Sequence, residues 1–243
     1  MEWRDAGIIL GLRRLGETSV IAELMTREHG RAMGLVRGGR SRRLQPMLQP
    51  GNEVEAVWRA RLEEQLGHFV LEGTDLRAAA LLANTQALHG VNLLGALLRL
   101  LPERDPHPAL YETSVLVLRH LDDSDMGPAL MARLELAILA ELGFGLDLAC
   151  CAATGSRYDL AWVSPKSGRA ISRAAGEPWS HRLLALPDFL RRSACDIQPS
   201  AVEIETAFRL TGHFLERDVL SPRGLSAPDA RRAYIATIAR TAC

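Results

Sequence analysis

The stretch GIILGLRRLGETSVIAELMTREHGRAMGLVR, residues 7–37, decides the fold because it holds three short runs with a two-residue period, separated by polar turns. In the middle run Val20, Ala22 and Leu24 fall on one face, and the runs on either side alternate in the same way. Alternation of this kind is typical of half-buried β-strands. The stretch therefore predicts three consecutive strands joined by tight turns.

Two further runs of the same type follow, VEAVWRAR at 54–61 and GHFVLEGT at 67–74. Five short strands predict a small β-barrel, an architecture that leaves no open sheet edge. The link between the third and fourth strands, GGRSRRLQPMLQPGN, contains Pro46 and Pro50, which exclude a long helix or a central strand there.

After residue 75 the sequence changes to long Ala-, Leu- and Arg-rich segments with helical periodicity. We expect an α+β protein of two domains, a barrel domain at 1–77 and an α-helical domain at 78–243, with an irregular loop insertion at about 147–178. Helical texture covers residues 75–101, 108–121, 127–143, 183–194, 201–219 and 227–240.

Positive charge is concentrated beside the third strand, although the formal net charge of the chain is +0. Six arginines lie between Arg27 and Arg43 against Glu28 alone, a local charge of +5. A barrel with a basic loop and exposed aromatic rings suits single-stranded nucleic acid, because arginines follow phosphates while rings stack on bases. The available rings are Trp3, Trp58 and Phe69; the alternative for the last two is a place in the barrel core.

Other classes of function lack their sequence signals. The first residues are charged rather than signal-like, the longest apolar stretch is too polar to cross a membrane, and a cytoplasmic location is expected. The four cysteines, Cys150, Cys151, Cys195 and Cys243, form no disulfide framework, and we expect reduced thiols. Phosphate-loop, dinucleotide and zinc-protease motifs are absent, and no spacing links the adjacent cysteines to His181 as a base, so we do not expect an enzyme.

A second candidate surface lies on the predicted helices. Leu116 and Arg119 on one helix, with Leu130, Arg133 and Leu134 on the next, could frame an apolar depression with a basic rim, suited to an acidic peptide. The alternative is that these leucines belong to the helical core.

Four segments together resemble the bacterial recombination mediator family RecO: TREHGRAMGLVRGGRSRR, LQPGNEVEAVW, LGFGLDLACCAATG and VSPKSGRAIS. The resemblance covers nearly the whole chain in the same order. It implies an N-terminal OB-fold, a C-terminal α-helical domain, and DNA binding without bond chemistry. It also implies RecR, RecF, RecA and the acidic C-terminal tail of single-strand-binding protein as partners.

Members of this family often carry zinc on two Cys-x-x-Cys pairs, and this chain departs from that pattern. The first pair is reduced to CAAT, Cys151 to Thr154, and no second pair follows, so we expect a degenerate zinc-finger-like loop without metal or other cofactor. Tyr158, Leu160 and Trp162 are expected to hold the loop by packing.

The function expected from these observations is that of a recombination mediator in DNA repair, located at the nucleoid. It would bind single- and double-stranded DNA, anneal complementary strands and help load RecA onto DNA coated with single-strand-binding protein. Five phosphate contacts predict a log-log salt slope near −3.5 on single strands, at about −0.7 for each. An OB-fold adaptor for an acidic protein partner, and an enzyme acting on a phosphorylated small molecule, remain as alternatives. The candidate DNA-binding residues are Arg31, Arg37, Arg40, Arg42 and Arg43, with Arg13, Arg59 and Arg61 as weaker candidates.

Overall fold

The computed structural model describes residues 1–62, 64–191 and 199–241, and it begins with a closed five-stranded barrel. The strands are β1 (Glu2–Leu15), β2 (Ser19–Thr26), β3 (Gly30–Val36), β4 (Glu53–Arg59) and β5 (His68–Asp75). Their order around the barrel is β1-β2-β3-β5-β4, with β3 and β5 parallel and all other pairs antiparallel. The alternating runs predicted this five-stranded barrel, and it is the OB-fold that the resemblance implied.

Strand β1 is longer than its alternating run indicated, because it pairs with two neighbouring strands. Residues 2–8 pair with β4 and residues 7–15 pair with β2, with an irregularity between Ile9 and Gly11. The first part of β1, EWRDA, lacks a clear apolar alternation, and only its pairing with β4 makes it a strand.

The inward faces of the strands form the barrel core, which contains two of the aromatic residues considered for base stacking. Trp58 and Phe69 are each 3% exposed, so the core alternative is correct for these two rings. Met47 and Leu48, from the long link after β3, are buried in the same core. The link therefore closes the barrel with two apolar side chains, while the arginine side chains of its first half are exposed.

The chain forms two compact units, Met1–Asp122 and Asp123–Cys243. The first unit contains the barrel and three helices, α1 (Ala78–Ala83), α2 (Thr85–Leu98) and α3 (Pro108–Arg119). The helical segment expected at 75–101 is broken at Asn84, whose side chain accepts a hydrogen bond from the backbone N–H of Ala87 and caps α2.

The second unit is mainly helical and includes a small three-stranded sheet. Its helices are α4 (Met126–Glu141), α5 (Arg173–Gly176), α6 (Ala201–Phe214) and α7 (Asp229–Thr241), and its strands are β6 (Leu160–Val163), β7 (Ala170–Ser172) and β8 (Leu184–Ala185). A helical turn with π-type hydrogen bonds, Leu215–Leu220, continues α6.

The helix expected at 183–194 is wrong in its described part. Leu184 and Ala185 form β8, which pairs with β6, and only the short 3₁₀ turn Asp188–Leu190 follows. Pro187 interrupts the helical pattern, and strand pairing satisfies the backbone before it. The remainder of that segment, with Cys195, lies outside the described residues, as does Cys243.

A buried ion pair joins α4, α6 and α7 within the second unit. The guanidinium of Arg231 donates to both carboxylate oxygens of Glu135, at 2.8 and 3.0 Å, and Glu135 is fully buried. The hydroxyl of Thr211 donates to the same carboxylate at 2.5 Å. A buried carboxylate needs this compensation, and the network links one side chain from each of the three helices.

Candidate nucleic-acid interface

The arginine loop, residues 37–43, leaves β3 and is built from successive hydrogen-bonded turns. The backbone N–H of Gly39 donates to Val36 O, and that of Ser41 donates to Gly38 O. The β1–β2 turn holds the loop from the other side, because the Arg40 backbone N–H donates to Thr18 O at 3.0 Å. The loop is thus tied to the barrel at its stem while its side chains face solvent.

The stem of this loop requires a glycine at position 39. A Cβ at position 39 would lie 2.5 Å from a methyl group of Val20 and 3.2 Å from Leu48, both in the barrel core. The backbone therefore lies directly on the core, with no room for a side chain.

Six arginines around this stem form no ion pair with any described carboxylate. Four belong to the arginine loop and two follow each other at the end of β1, and all six are exposed. The only side-chain hydrogen bonds from this group within the described residues come from Arg40, whose guanidinium donates to the carbonyls of Glu17 (2.5 Å) and Gly16 (3.5 Å). Charges that are close together and uncompensated favour an anionic ligand. The set, called here the open arginines, is Arg13, Arg14, Arg37, Arg40, Arg42 and Arg43.

Arg14 was not among the sequence candidates, although Arg13 was. It lies opposite Val20 in the β1–β2 pair, and together with Arg40 it lines a cavity at this end of the barrel. The available signal was the two-residue period of β1, which places Arg14 on the face of Leu12.

Arg31 and Arg59 differ from the open arginines because acidic groups already neutralise them. Arg31 pairs with Glu23 at 2.9 Å, and Arg59 pairs with Glu2 at 2.8 Å. The Arg59 hydrogen bond lowers the pKa of the Glu2 carboxyl. Their positive charges are therefore less available to phosphates than sequence alone indicated.

The face of β2 and β3 that bears Arg31 is also covered by residues 99–105. Arg99 donates to Glu23 at 2.8 Å and to Leu10 O at 3.0 Å, and the backbone N–H of Arg104 donates to Arg31 O at 2.8 Å. OB-folds commonly bind ligands on this face. Because it is covered here, the loops at the barrel end are the more accessible surface for a ligand.

Arg61 lies in the β4–β5 loop, is exposed, and forms no ion pair with a described residue. Leu35 of β3 pairs with His68, and His68 pairs with Arg59. The end of β3 that enters the arginine loop is thus two strand spacings, roughly 10 Å, from the end of β4. This geometry places Arg61 on the same side of the barrel as the start of the arginine loop.

Of the predicted partner surface on the helices, only part is exposed. Leu116 is 42% exposed and Arg119 is exposed, both on α3. Leu130 and Leu134 on α4 are 5% and 0% exposed, and Arg133 donates to Phe189 O. The two α4 leucines thus belong to the core, which was the alternative considered from the sequence.

The segment expected to form a degenerate zinc-finger-like loop contains Cys151, which is buried. Its Sγ lies 3.4 Å from Ser172 Oγ, and the Ser172 backbone N–H donates to it at 3.2 Å. Burial opposes ionisation of the thiol, but hydrogen bonds from Ser172, Thr154 and Ala153 lower its pKa to about 6. One thiol and two hydroxyls do not fit the four nitrogen or sulfur ligands of a structural zinc site.

The expected packing of this loop is only partly correct. Leu160 is 4% exposed and belongs to the core, whereas Tyr158 is 83% exposed and lies outside it. Trp162 lies against Gly176, where a Cβ would come within 2.3 Å of its ring. Among the described residues, no three His, Cys, Asp or Glu side chains converge as a metal site, and no helix is long and apolar enough to cross a membrane.

The fold and this interface together define an OB-fold protein with a basic loop at one barrel end and a helical second part. Two family models match the chain, recombination protein O N terminal over residues 1–74 and recombination protein O C terminal over residues 82–226. The chain belongs to the RecO family of DNA repair proteins.

Named relatives support this assignment along the whole chain. It is 60% identical to the DNA repair protein RecO of Methylocella silvestris, over 99% of this chain and 97% of the relative. It is 57% identical to the protein of the same name from Methylobacterium nodulans, over 97% of both chains. The corresponding protein of Mesorhizobium japonicum is 58% identical, over 98% of this chain and 94% of the relative.

Proposed function

We propose that this protein acts in DNA repair by binding DNA phosphates with the open arginines at the end of the OB barrel. The single observation that carries the proposal is that six exposed arginines share one end of the barrel without an acidic partner among the described residues. Contacts of this kind position a strand without reading its sequence. Single and double strands would therefore both bind.

Annealing of complementary strands follows from the same surface. Two phosphate backbones repel each other, and guanidinium groups that neutralise both reduce this repulsion. By helping to displace single-strand-binding protein, the same contacts would assist loading of RecA. This role needs neither ATP hydrolysis by this chain nor a catalytic residue, and we propose that the protein is not an enzyme.

The partners implied by family membership are RecR, RecF, RecA and the acidic tail of single-strand-binding protein. Within the predicted peptide surface, Leu116 and Arg119 are the exposed pair, an apolar side chain three residues from a cation on α3. We propose that this pair contributes to holding the tail, and that the loop around Cys151 needs no zinc because hydrogen bonds already satisfy its thiol. Stoichiometric zinc in the purified protein would contradict the second statement.

The experiment that tests the proposal measures fluorescence anisotropy of a labelled single-stranded oligonucleotide at several salt concentrations, with unlabelled duplex as competitor. Replacing Arg40, Arg42 and Arg43 with alanine should flatten the log-log salt slope by about 2, at about 0.7 for each phosphate that is no longer bound. An unchanged slope would remove the loop from the interface. No binding to either form of DNA, even at low salt, would favour the adaptor function, in which the arginines bind an acidic protein.

A further inference from the structure

A small cavity opens at the end of the barrel beneath the open arginines. Its volume is about 290 Å³, and its floor is apolar while its rim carries two guanidinium groups and two amides. It is called here the barrel-end pocket, and its lining is Leu12, Arg14, Val20, Gly39, Arg40, Gln45, Leu48 and Gln49.

The walls of the barrel-end pocket are held in place by hydrogen bonds within the first unit. The side-chain amide of Gln45 donates to Arg40 O at 3.3 Å, and that of Gln49 donates to Gln45 O at 2.9 Å. Arg40 is held in turn by the carbonyl of Glu17. A ligand would therefore find these groups already arranged, which lowers the entropic cost of binding.

The floor of the pocket exposes an apolar side chain in a position where the barrel would normally bury one. Leu12 lies opposite Ala22, which is fully buried, yet Leu12 is 39% exposed. The neighbouring floor residues Val20 and Leu48 are buried at 5% and 0% exposure. The pocket thus combines an accessible apolar surface with a cationic rim.

We propose that the barrel-end pocket accepts one unpaired nucleobase of a DNA strand whose phosphates the open arginines bind, an inference that rests on the function proposed above. The face of a base is apolar and packs on aliphatic side chains and on guanidinium planes, as Leu12, Arg14 and Arg40 offer. Charge complementarity supports this occupant, because every base in a strand is joined through its deoxyribose to phosphates and the rim carries Arg14 and Arg40.

The pocket favours an unpaired base over a paired one. Its volume, about 290 Å³, lies at the lower end of small-molecule sites. A duplex base would have to leave its stack, at a cost of a few kcal/mol, before it could enter. The pocket therefore gives a preference for single strands that the phosphate contacts alone do not provide.

The test compares Leu12→Ser with the matched control Leu15→Ser in the full-length protein. Leu15 is 44% exposed, lies three residues away in the same strand and does not line the pocket. We expect Leu12→Ser to weaken binding of a single-stranded oligonucleotide by about tenfold, in the range of base-stacking contacts, and to leave duplex affinity and the salt slope unchanged. Leu15→Ser should change neither affinity, and thermal unfolding of both variants verifies that they are folded.

An oligonucleotide made of abasic nucleotides gives a second readout, because it retains the phosphates and lacks the bases. It should bind the unsubstituted protein about tenfold more weakly than the normal strand, and this difference should largely vanish for Leu12→Ser. Equal losses on single strands and duplex, or no loss for Leu12→Ser, would overturn the base pocket while leaving the phosphate site intact. If the unsubstituted protein binds neither DNA, the proposed function itself fails.

Discussion

Replacing Arg42 and Arg43 with alanine removes two exposed charges that form no ion pair or side-chain hydrogen bond with a described residue. This double variant isolates the phosphate contribution better than one that includes Arg40, whose side chain also binds the β1–β2 turn. If each of the six open arginines contacts one phosphate, the slope of log affinity against log salt on single strands is about −4.2, and the double variant reduces its magnitude by about 1.4. Between 50 and 200 mM salt, affinity should then fall about 300-fold for the unsubstituted protein and about 50-fold for the variant.

The matched control removes the same charge from the same barrel. Arg4 and Arg59 are exposed, and each pairs with a carboxylate, Arg4 with Glu55 and Arg59 with Glu2. Arg4→Ala with Arg59→Ala should therefore leave the slope nearly unchanged, although the net charge falls by the same two units. Fluorescence anisotropy at four or more salt concentrations measures both slopes. Equal flattening by the two variants would refute the reasoning, because it would show that total charge, rather than the unpaired loop arginines, governs DNA binding.

Three further predictions concern polar side chains that stabilise the fold of one unit or the other. The side-chain amide of Asn52 donates to two loop carbonyls, at 2.8 and 2.9 Å, and Asn52→Asp places a carboxylate oxygen against them. This substitution should lower the free energy of unfolding, measured in urea, by about 2 kcal/mol. Unchanged stability would show that these two hydrogen bonds do not support the fold. Glu135→Leu leaves Arg231 unpaired near the core and should cost about 3 to 5 kcal/mol by the same assay, whereas a loss below about 1 kcal/mol would show that the pair is dispensable. The pKa of Cys151 is lowered to about 6 in the folded protein, so ionisation of this thiol stabilises the fold above the usual thiol pKa, and that contribution is lost as the pH falls towards 6. Cys151→Ser should remove this pH-dependent contribution to the free energy of unfolding. An identical dependence of stability on pH for both proteins would exclude the contribution.

The barrel could be predicted from the sequence because its strands have a clear two-residue period. Val20, Ala22 and Leu24 fall on one face of β2, and the structure places all three in the barrel core. The first residues of β1 lack that signal, and the 183–191 segment carries a helical pattern although part of it pairs as a strand. In both places the partner strand is distant in sequence, so the local sequence pattern does not predict the pairing.

Within the candidate site, the sequence identified the basic loop but did not separate its arginines from those engaged elsewhere. Glu23, which neutralises Arg31, is eight residues away, and Glu2, which neutralises Arg59, is 57 residues away. Charge counting treats all of these guanidinium groups alike. The distinction between open and paired arginines requires the positions of the carboxylates.

The sequence by itself determined the five-strand barrel, the helical second part, the concentration of arginines after β3 and the membership of the RecO family. Local periodicity, charge spacing and ordered motifs carry that information, because they depend on neighbours along the chain. Only the tertiary structure decided which arginines lack an ion pair among the described residues, that residues 99–105 cover the β2–β3 face, and that a pocket of about 290 Å³ opens between β1 and the arginine loop. These properties arise from interactions between segments far apart in sequence, where packing and ion pairing select among side chains that composition cannot distinguish.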